Sequence, residues 1–360
     1  VSHGVFAYTW DLVGDPAAAE RIAGLGVDTV TLQAAYHAVR GITPFHPTHR
    51  VVHAAHAAAY FPIRDAAWGG LRPLVPSWGV DNPDRFGTAA RALRSAGLGV
   101  EAWLVLTHSS AVGAAHPEMT VQNAYGERYG YALCPSHESV RSYALTLIRE
   151  VVEQYDVDAL MLEACGWLGF DHGSLHEKTE GAELSVNARR LLSICFCAAC
   201  RSALGSAADP LAASVREAVD AELRGDRPAV LPPADALLAH RAAVIGELVR
   251  EAKTLAGDRR LLLMATDDPW VTGPDVGVDL PAHAPDAYVL KCWGEVGTAA
   301  RQVKAAAART DVPLIANVTV LEERWDGVEE LLEAGASEIR YYHAGLASKN
   351  RLQRIREASA

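Results

Sequence analysis

The chain has 360 residues, half of them hydrophobic and 21% charged, with a formal net charge of −11. That balance fits a folded domain and excludes wholesale disorder, and the negative charge opposes a nucleic-acid partner. No apolar run approaches the ~20 residues that span a bilayer, and the opening VSHGVFAYTW carries no basic segment followed by an apolar one. A cytoplasmic protein with no membrane partner is therefore expected, and a homo-oligomer is compatible with the sequence.

Short apolar, β-rich runs recur at 5–8, 29–33, 99–106, 159–163, 261–265, 287–291, 314–317 and 338–342. Such runs suit parallel strands buried on both faces. Helical stretches follow most of them. The first, 16–25, has Asp15 at its N-cap, Pro16 at the first helical position and Gly26 after its end. The others are 84–96, 139–154, 186–204, 234–255, 297–309, 327–333 and 348–358. Between the fifth and sixth runs, PWVTGPDVGVDLPAHAP offers at most one short helix.

Strand and helix alternating eight times predict a (β/α)8 TIM barrel, with 1–360 as a single domain. A doubly wound sheet is disfavoured because no glycine-rich phosphate fingerprint follows the first strand. The long connections 34–83, 107–138 and 164–185 all follow strands, which puts them at the face where barrel active sites are built. Residues 164–233 read as a loop and helical insertion after the fourth strand, with a helix over 211–223 on the outer ring.

The residues just past each strand then line one mouth. Glu163 ends an apolar run and should point into it, where a carboxylate serves as proton donor, nucleophile or metal ligand; the bland alternative is a buried glutamate paired with Lys291 or Arg340. Asp267 and Asp268 could supply a second carboxylate, or cap the turn before Pro269. His108 completes the candidate catalytic set. Candidate substrate contacts are Trp10, Asp11, His37, Trp167, Lys291, Trp293, Tyr342 and His343, with Tyr36, Trp103, Trp270 and Asn317 nearby. Tryptophan faces suit the apolar C–H faces of sugar rings, although tryptophan also fills barrel gaps. His46, His49, His53 and His56 match no standard metal spacing and read as a polar loop.

Cys195, Cys197 and Cys200 have C-x-C-x2-C spacing. Zinc bound by thiolates takes four ligands in a tetrahedron. In a helix, 197 and 200 share a face but 195 and 197 do not, so the helix from Val186 should end near Ser193 and a knuckle should wrap the ion. Cys134, in YALCPSH, is the preferred fourth ligand; Cys165, His172 and His176 compete with it. Four thiolates leave no open position for water, so the zinc would be structural and pin two mouth loops together.

A C-x-C-x2-C motif following a fourth-strand glutamate, with an earlier cysteine in a CPS turn after strand three, resembles the zinc-bearing (β/α)8 glycoside hydrolases of the family 42 β-galactosidase type, or uncharacterised glycosidase-like barrels related to them. The motif match spans about 70 residues, and the rest of the chain is similar only as barrel architecture. The resemblance implies that Glu163 is the acid/base and that Cys134, Cys195, Cys197 and Cys200 hold zinc. Two positions depart from the pattern. Leu162 stands where the family has asparagine, and Asn317 and Val318 stand where its strand-seven nucleophile belongs, with Glu322 and Glu323 only later. Other glycosidase barrels put the nucleophile on strand four, which would make Glu163 the nucleophile and Asp267 or Asp268 the acid. The leading expectation is a glycoside hydrolase-like enzyme acting on a small carbohydrate-like substrate. The alternatives are a barrel lyase or isomerase using His37, His108, His343 and Lys291 for proton transfer, and a non-catalytic carbohydrate-binding barrel.

Overall fold

The structure, a computed structural model, describes residues 1–79, 81–171, 177–322 and 327–360. Its centre is eight strands: β1 (Ser2–Ala7), β2 (Thr29–Tyr36), β3 (Gly99–Val105), β4 (Ala159–Glu163), β5 (Arg260–Thr266), β6 (Ala287–Lys291), β7 (Leu314–Thr319) and β8 (Glu338–Tyr342). Each pairs in parallel with its sequence neighbours, and β8 returns to β1 through the pairs Ser2↔Glu338 to Val5↔Tyr341. The sheet is thus a closed (β/α)8 barrel, as the strand–helix rhythm requires. β1 starts three residues before the apolar run because closure recruits polar Ser2 and His3, whose Nδ1 meets Tyr341 Oη at 3.0 Å.

Among the buried polar side chains of the barrel, which include Thr31 and Gln33, Arg340 anchors a small ion-pair network. Arg340 on β8 pairs with Glu101 on β3 at 2.6 Å and with Glu338 at 2.7 Å, and Thr31 Oγ1 donates to Glu101 Oε2 at 2.6 Å. Arg340 is therefore fully engaged inside the barrel.

The long loops carry small structures of their own. A hairpin of Val39–Ile42 and Val51–Ala54 follows β2, and a second of Thr120–Gln122 and Arg128–Leu133 follows β3. The segment after β4 holds helices Val186–Leu192, Ala198–Leu204 and Ala208–Leu223 around a separate apolar cluster that includes Leu191, Phe196, Leu211 and Val215. The helix expected over 186–204 is interrupted at 193–197, where the cysteine knuckle departs from helical geometry. The first helix is also shorter than expected, Ala18–Ala23. Asp15 does not cap it from the N-cap position; its Oδ1 accepts Ala17 N–H at 3.0 Å and its Oδ2 pairs with Arg21 at 2.5 Å. No helix is long and apolar enough to cross a membrane among the described residues.

Candidate active site

A cavity of about 460 Å³ opens at the C-terminal ends of the strands. Glu163 reaches it from the end of β4, only 6% exposed, with Oε2 accepting Trp103 Nε1–H at 2.7 Å. Burial pushes its pKa up to about 8; the Trp103 bond opposes this, Asp275 adds to it and Lys291 opposes it. Glu163 has no ion-pair partner among the described residues, and Arg340 belongs to Glu101. The alternative of a salt-bridged structural glutamate therefore does not hold. At neutral pH this group keeps its proton in an apolar setting, which is the state of a proton donor.

Two other carboxylates line the cavity, Asp171 and Asp275; Asp171 is paired with Arg189 at 2.6 Å, which leaves Asp275. It lies in the irregular stretch between β5 and β6. A two-residue strand, Val276–Gly277, pairs with Ala265 and Thr266 and folds that stretch back over the mouth. Backbone bonds from Ala164 N to Pro274 O (2.8 Å) and Gly273 N to Trp167 O (3.0 Å) tie it to the loop after β4. Burial lifts the Asp275 pKa to about 6, with Lys291 opposing, and its Oδ1 is shielded from solvent without a hydrogen-bond partner.

Aromatic groups form the opposite wall. Tyr8 just past β1, Tyr36 at the end of β2 and Tyr342 at the end of β8 bring their hydroxyls together at 3.2, 3.2 and 3.5 Å. Burial raises all three pKa values, so the phenols stay protonated. Lys291 Nζ sits 4.4 Å from the centre of the Trp293 ring, and Trp293 Nε1 donates to Asn317 Oδ1 at 3.5 Å. His37 stacks on Tyr36 at 4.2 Å, donates Nδ1–H to Ala38 O at 2.7 Å, and has its pKa lowered by burial.

Of the expected substrate contacts, the structure places His37, Lys291, Trp293 and Tyr342 around this cavity. It places others elsewhere. Asp267 pairs with Arg309 at 2.6 Å and Asp268 with Arg190; both line an adjoining cavity of about 490 Å³. Neither lines the Glu163 cavity, since each carboxylate is engaged by an arginine; Asp275 and Lys291 line both cavities. Trp10 is turned under the mouth by the single helical turn Thr9–Leu12 and packs against Tyr8, Tyr60 and Trp78. Asp11 is buried beside it, accepts Tyr8 N–H at 2.8 Å, and is lifted to about 7 by that burial. His343 lies behind the Tyr8 ring at 4.1 Å; its Nδ1 accepts Gly345 N–H at 3.1 Å and burial takes its pKa to about 3, so it stays neutral. His108 stacks behind His37 at 4.4 Å. Trp270 packs on the insertion's own core. Among the loop histidines, His46 and His49 stack at 3.4 Å and give Nε2–H to Val13 O and Trp10 O. They fasten the loop to the barrel.

Trp167 points away from the cavity to the cysteines, its Nε1–H donated to Cys134 Sγ at 3.2 Å. Cys134, Cys195, Cys197 and Cys200 are all buried, with sulfurs within 4.8 Å of one another. Cys134 Sγ lies 3.5, 3.7 and 3.6 Å from those of Cys200, Cys195 and Cys197. An ion with ~2.3 Å bonds to four sulfurs has tetrahedral edges of about 3.8 Å, so the four sulfurs fit a metal ion. Each sulfur also has a polar neighbour. Gln122 N donates to Cys195, His137 Nε2 meets Cys197 at 3.4 Å, and Ser136 Oγ meets Cys200 at 3.0 Å. Such outer bonds are what thiolate ligands need. Cys165 is buried apart from this group, and His172 and His176 lie outside the described residues.

No protein-family model and no curated protein matches the chain. Solved structures do. The glycoside hydrolase domain of PgaB (BpsB) from Bordetella bronchiseptica is similar at 15% identity and TM-score 0.60, over 100% of this chain and 99% of that one. The catalytic domain of a β-amylase from Paenibacillus polymyxa is similar at 11% identity and TM-score 0.55, over 98% and 94%. Gan42B, a GH42 β-galactosidase from G. stearothermophilus, is similar at 11% identity and TM-score 0.53, over 100% of this chain and 56% of that one. These likenesses carry the fold: the chain is a TIM barrel of the kind on which glycoside hydrolases are built.

Proposed function

We propose that the protein is a glycoside hydrolase-like enzyme in which Glu163 is the general acid and Asp275 the second carboxyl group. The observation that carries this reading is the pair itself: two carboxyls facing one aromatic-walled cavity, with pKa values driven apart to about 8 and about 6. Such a split assigns roles. Near neutral pH Glu163 holds a proton for a departing glycosidic oxygen, and ionised Asp275 acts on water or on the sugar carbon. Trp103 fixes the Glu163 carboxyl in place, and Trp293, Tyr36 and Tyr342 offer ring faces and hydroxyls to a sugar. Asn317 stands where the resembled family has its β7 nucleophile, so the second carboxyl comes from the β5–β6 connection instead.

The cysteine tetrad is read as a structural zinc site. The ion would be held by Cys134, Cys195, Cys197 and Cys200, and would supply cross-linking of the loops after β3 and β4, with no position left for substrate.

The test is a panel of chromogenic glycosides with the parent protein and Glu163→Gln. Hydrolysis by the parent that is lost in the variant supports the proposal. A second reading, a barrel lyase or isomerase, is favoured by Asn317 in β7 and by Lys291, which lines the same cavity and acts through its charge on both carboxyls. Cleavage of no glycoside by the parent would favour it.

A further inference from the structure

Arg241 lies on the helix Asp235–Ala256 and is 4% exposed. Its guanidinium sits 5.6 Å from the centre of the Trp167 ring, and Nη1 donates to Pro269 O at 3.4 Å. Nε and Nη2 are buried without a hydrogen-bond partner. No carboxylate pairs with it among the described residues. Arginine keeps its charge at any pH where the chain folds, and a buried charge persists only where an opposite charge compensates it.

The compensating groups are sulfurs. Burial works against the Arg241 charge, and Cys200, Cys195 and Cys134 work for it. Trp167, whose face carries the guanidinium, gives its indole N–H to Cys134 Sγ. A divalent ion held by four thiolates is left with two surplus negative charges, and the other basic side chains beside the cluster, His137 against Cys197 and His240 against Ser136, are only part-buried.

We infer that Arg241 is the buried counter-ion of the metal–thiolate cluster, holding it through Trp167 and tying it to the Pro269 end of the loop that carries Asp275. This rests on the zinc reading of the tetrad. It makes the cation and the cluster interdependent. Without the anionic cluster Arg241 is an uncompensated buried charge; without Arg241 the cluster keeps only the part-buried His137 beside it.

The test uses the full chain with Arg241→Met and Arg241→Lys. Each is titrated with Zn²⁺ against a chromogenic chelator, and with Co²⁺ followed by its thiolate charge-transfer absorption. Arg241→Met should weaken metal binding on the order of 10- to 100-fold, Arg241→Lys should keep most of the affinity, and both should keep the tetrahedral Co²⁺ spectrum. To separate charge from packing, Arg241→Met is repeated where Cys195, Cys197 and Cys200 are all serine. There it should raise Tm, whereas in the metal-loaded parent it should lower Tm. If that background does not fold, the Zn²⁺ titration alone decides. Equal affinity in Arg241→Met and the parent, or the same Tm change in both backgrounds, overturns the inference. Failure of the parent to bind either ion overturns the zinc reading and the inference with it.

Discussion

Around the cysteine cluster each sulfur meets a polar neighbour, a backbone N–H, an indole, a hydroxyl or an imidazole. A few residues away, at the mouth, Asp275 Oδ1 has no partner and Glu163 accepts a single indole bond while burial holds its proton on. Both regions are buried and rich in ionisable groups, but one is complete within the protein and the other is not. An unsatisfied buried carboxyl costs stability and is retained where a ligand completes it. On this contrast the cluster is closed by its own neighbours, and the mouth is the part left for a ligand to complete.

The sharpest way to break the contrast is Glu163→Gln, which keeps size and hydrogen bonding but removes the transferable proton. Turnover should fall by about 10²–10⁴-fold, measured as kcat on whichever glycoside the parent cleaves, with metal content unchanged. Next is Cys197→Ser, which strikes the cluster. It should cost several kcal/mol, a fall in Tm of roughly 5 °C for a chain of this length, read by calorimetry before and after chelation of the parent; chelation should reproduce most of the shift.

Asp275→Asn tests the unpartnered carboxyl. The parent's kcat/KM should rise with pH as Asp275 ionises near 6 and fall as Glu163 ionises near 8. The variant should lose about 10²-fold and, with it, the lower limb. A lower limb that survives would remove Asp275 from the role. The smallest effect belongs to Asp267→Asn, which breaks a partly exposed pair with Arg309 outside the cavity. Screening limits such pairs to about 0–1 kcal/mol, so Tm and turnover should change little.

The same contrast explains what was legible in the sequence. The cluster could be read because three of its ligands lie within six residues and the fourth is marked by its own turn. The barrel could be read because buried parallel strands are largely apolar: β4, β6 and β8 have the limits their runs suggest, even though β8 carries Glu338 and Arg340. The mouth is harder, because it is assembled from loops. Asp275 lies nine residues past the end of β5, in a stretch without periodicity, and reaches the site only because Val276 and Gly277 add a short strand to β5. Asp267 and Asp268, directly after that strand, are the natural choice in the sequence, yet two arginines from other elements engage them. Trp10 and Trp167 illustrate the same difficulty. One helical turn sends the first under Tyr8, and one hydrogen bond to Cys134 holds the second against the cluster. Tyr8 reads as core within the apolar run 5–8, and its hydroxyl contacts to Tyr36 and Tyr342 depend on strands far apart in sequence.

The most direct test of the account is the ionisation of Glu163 itself. Carboxyl carbon resonances of ¹³C-labelled glutamate, followed through a pH titration of the parent and of Glu163→Gln, isolate one signal by difference. The account predicts that this signal titrates near pH 8, several units above its labelled neighbours on the surface. A signal that titrates in the ordinary glutamate range of about 4–5 would contradict it, since Glu163 would then carry no proton to donate at neutral pH.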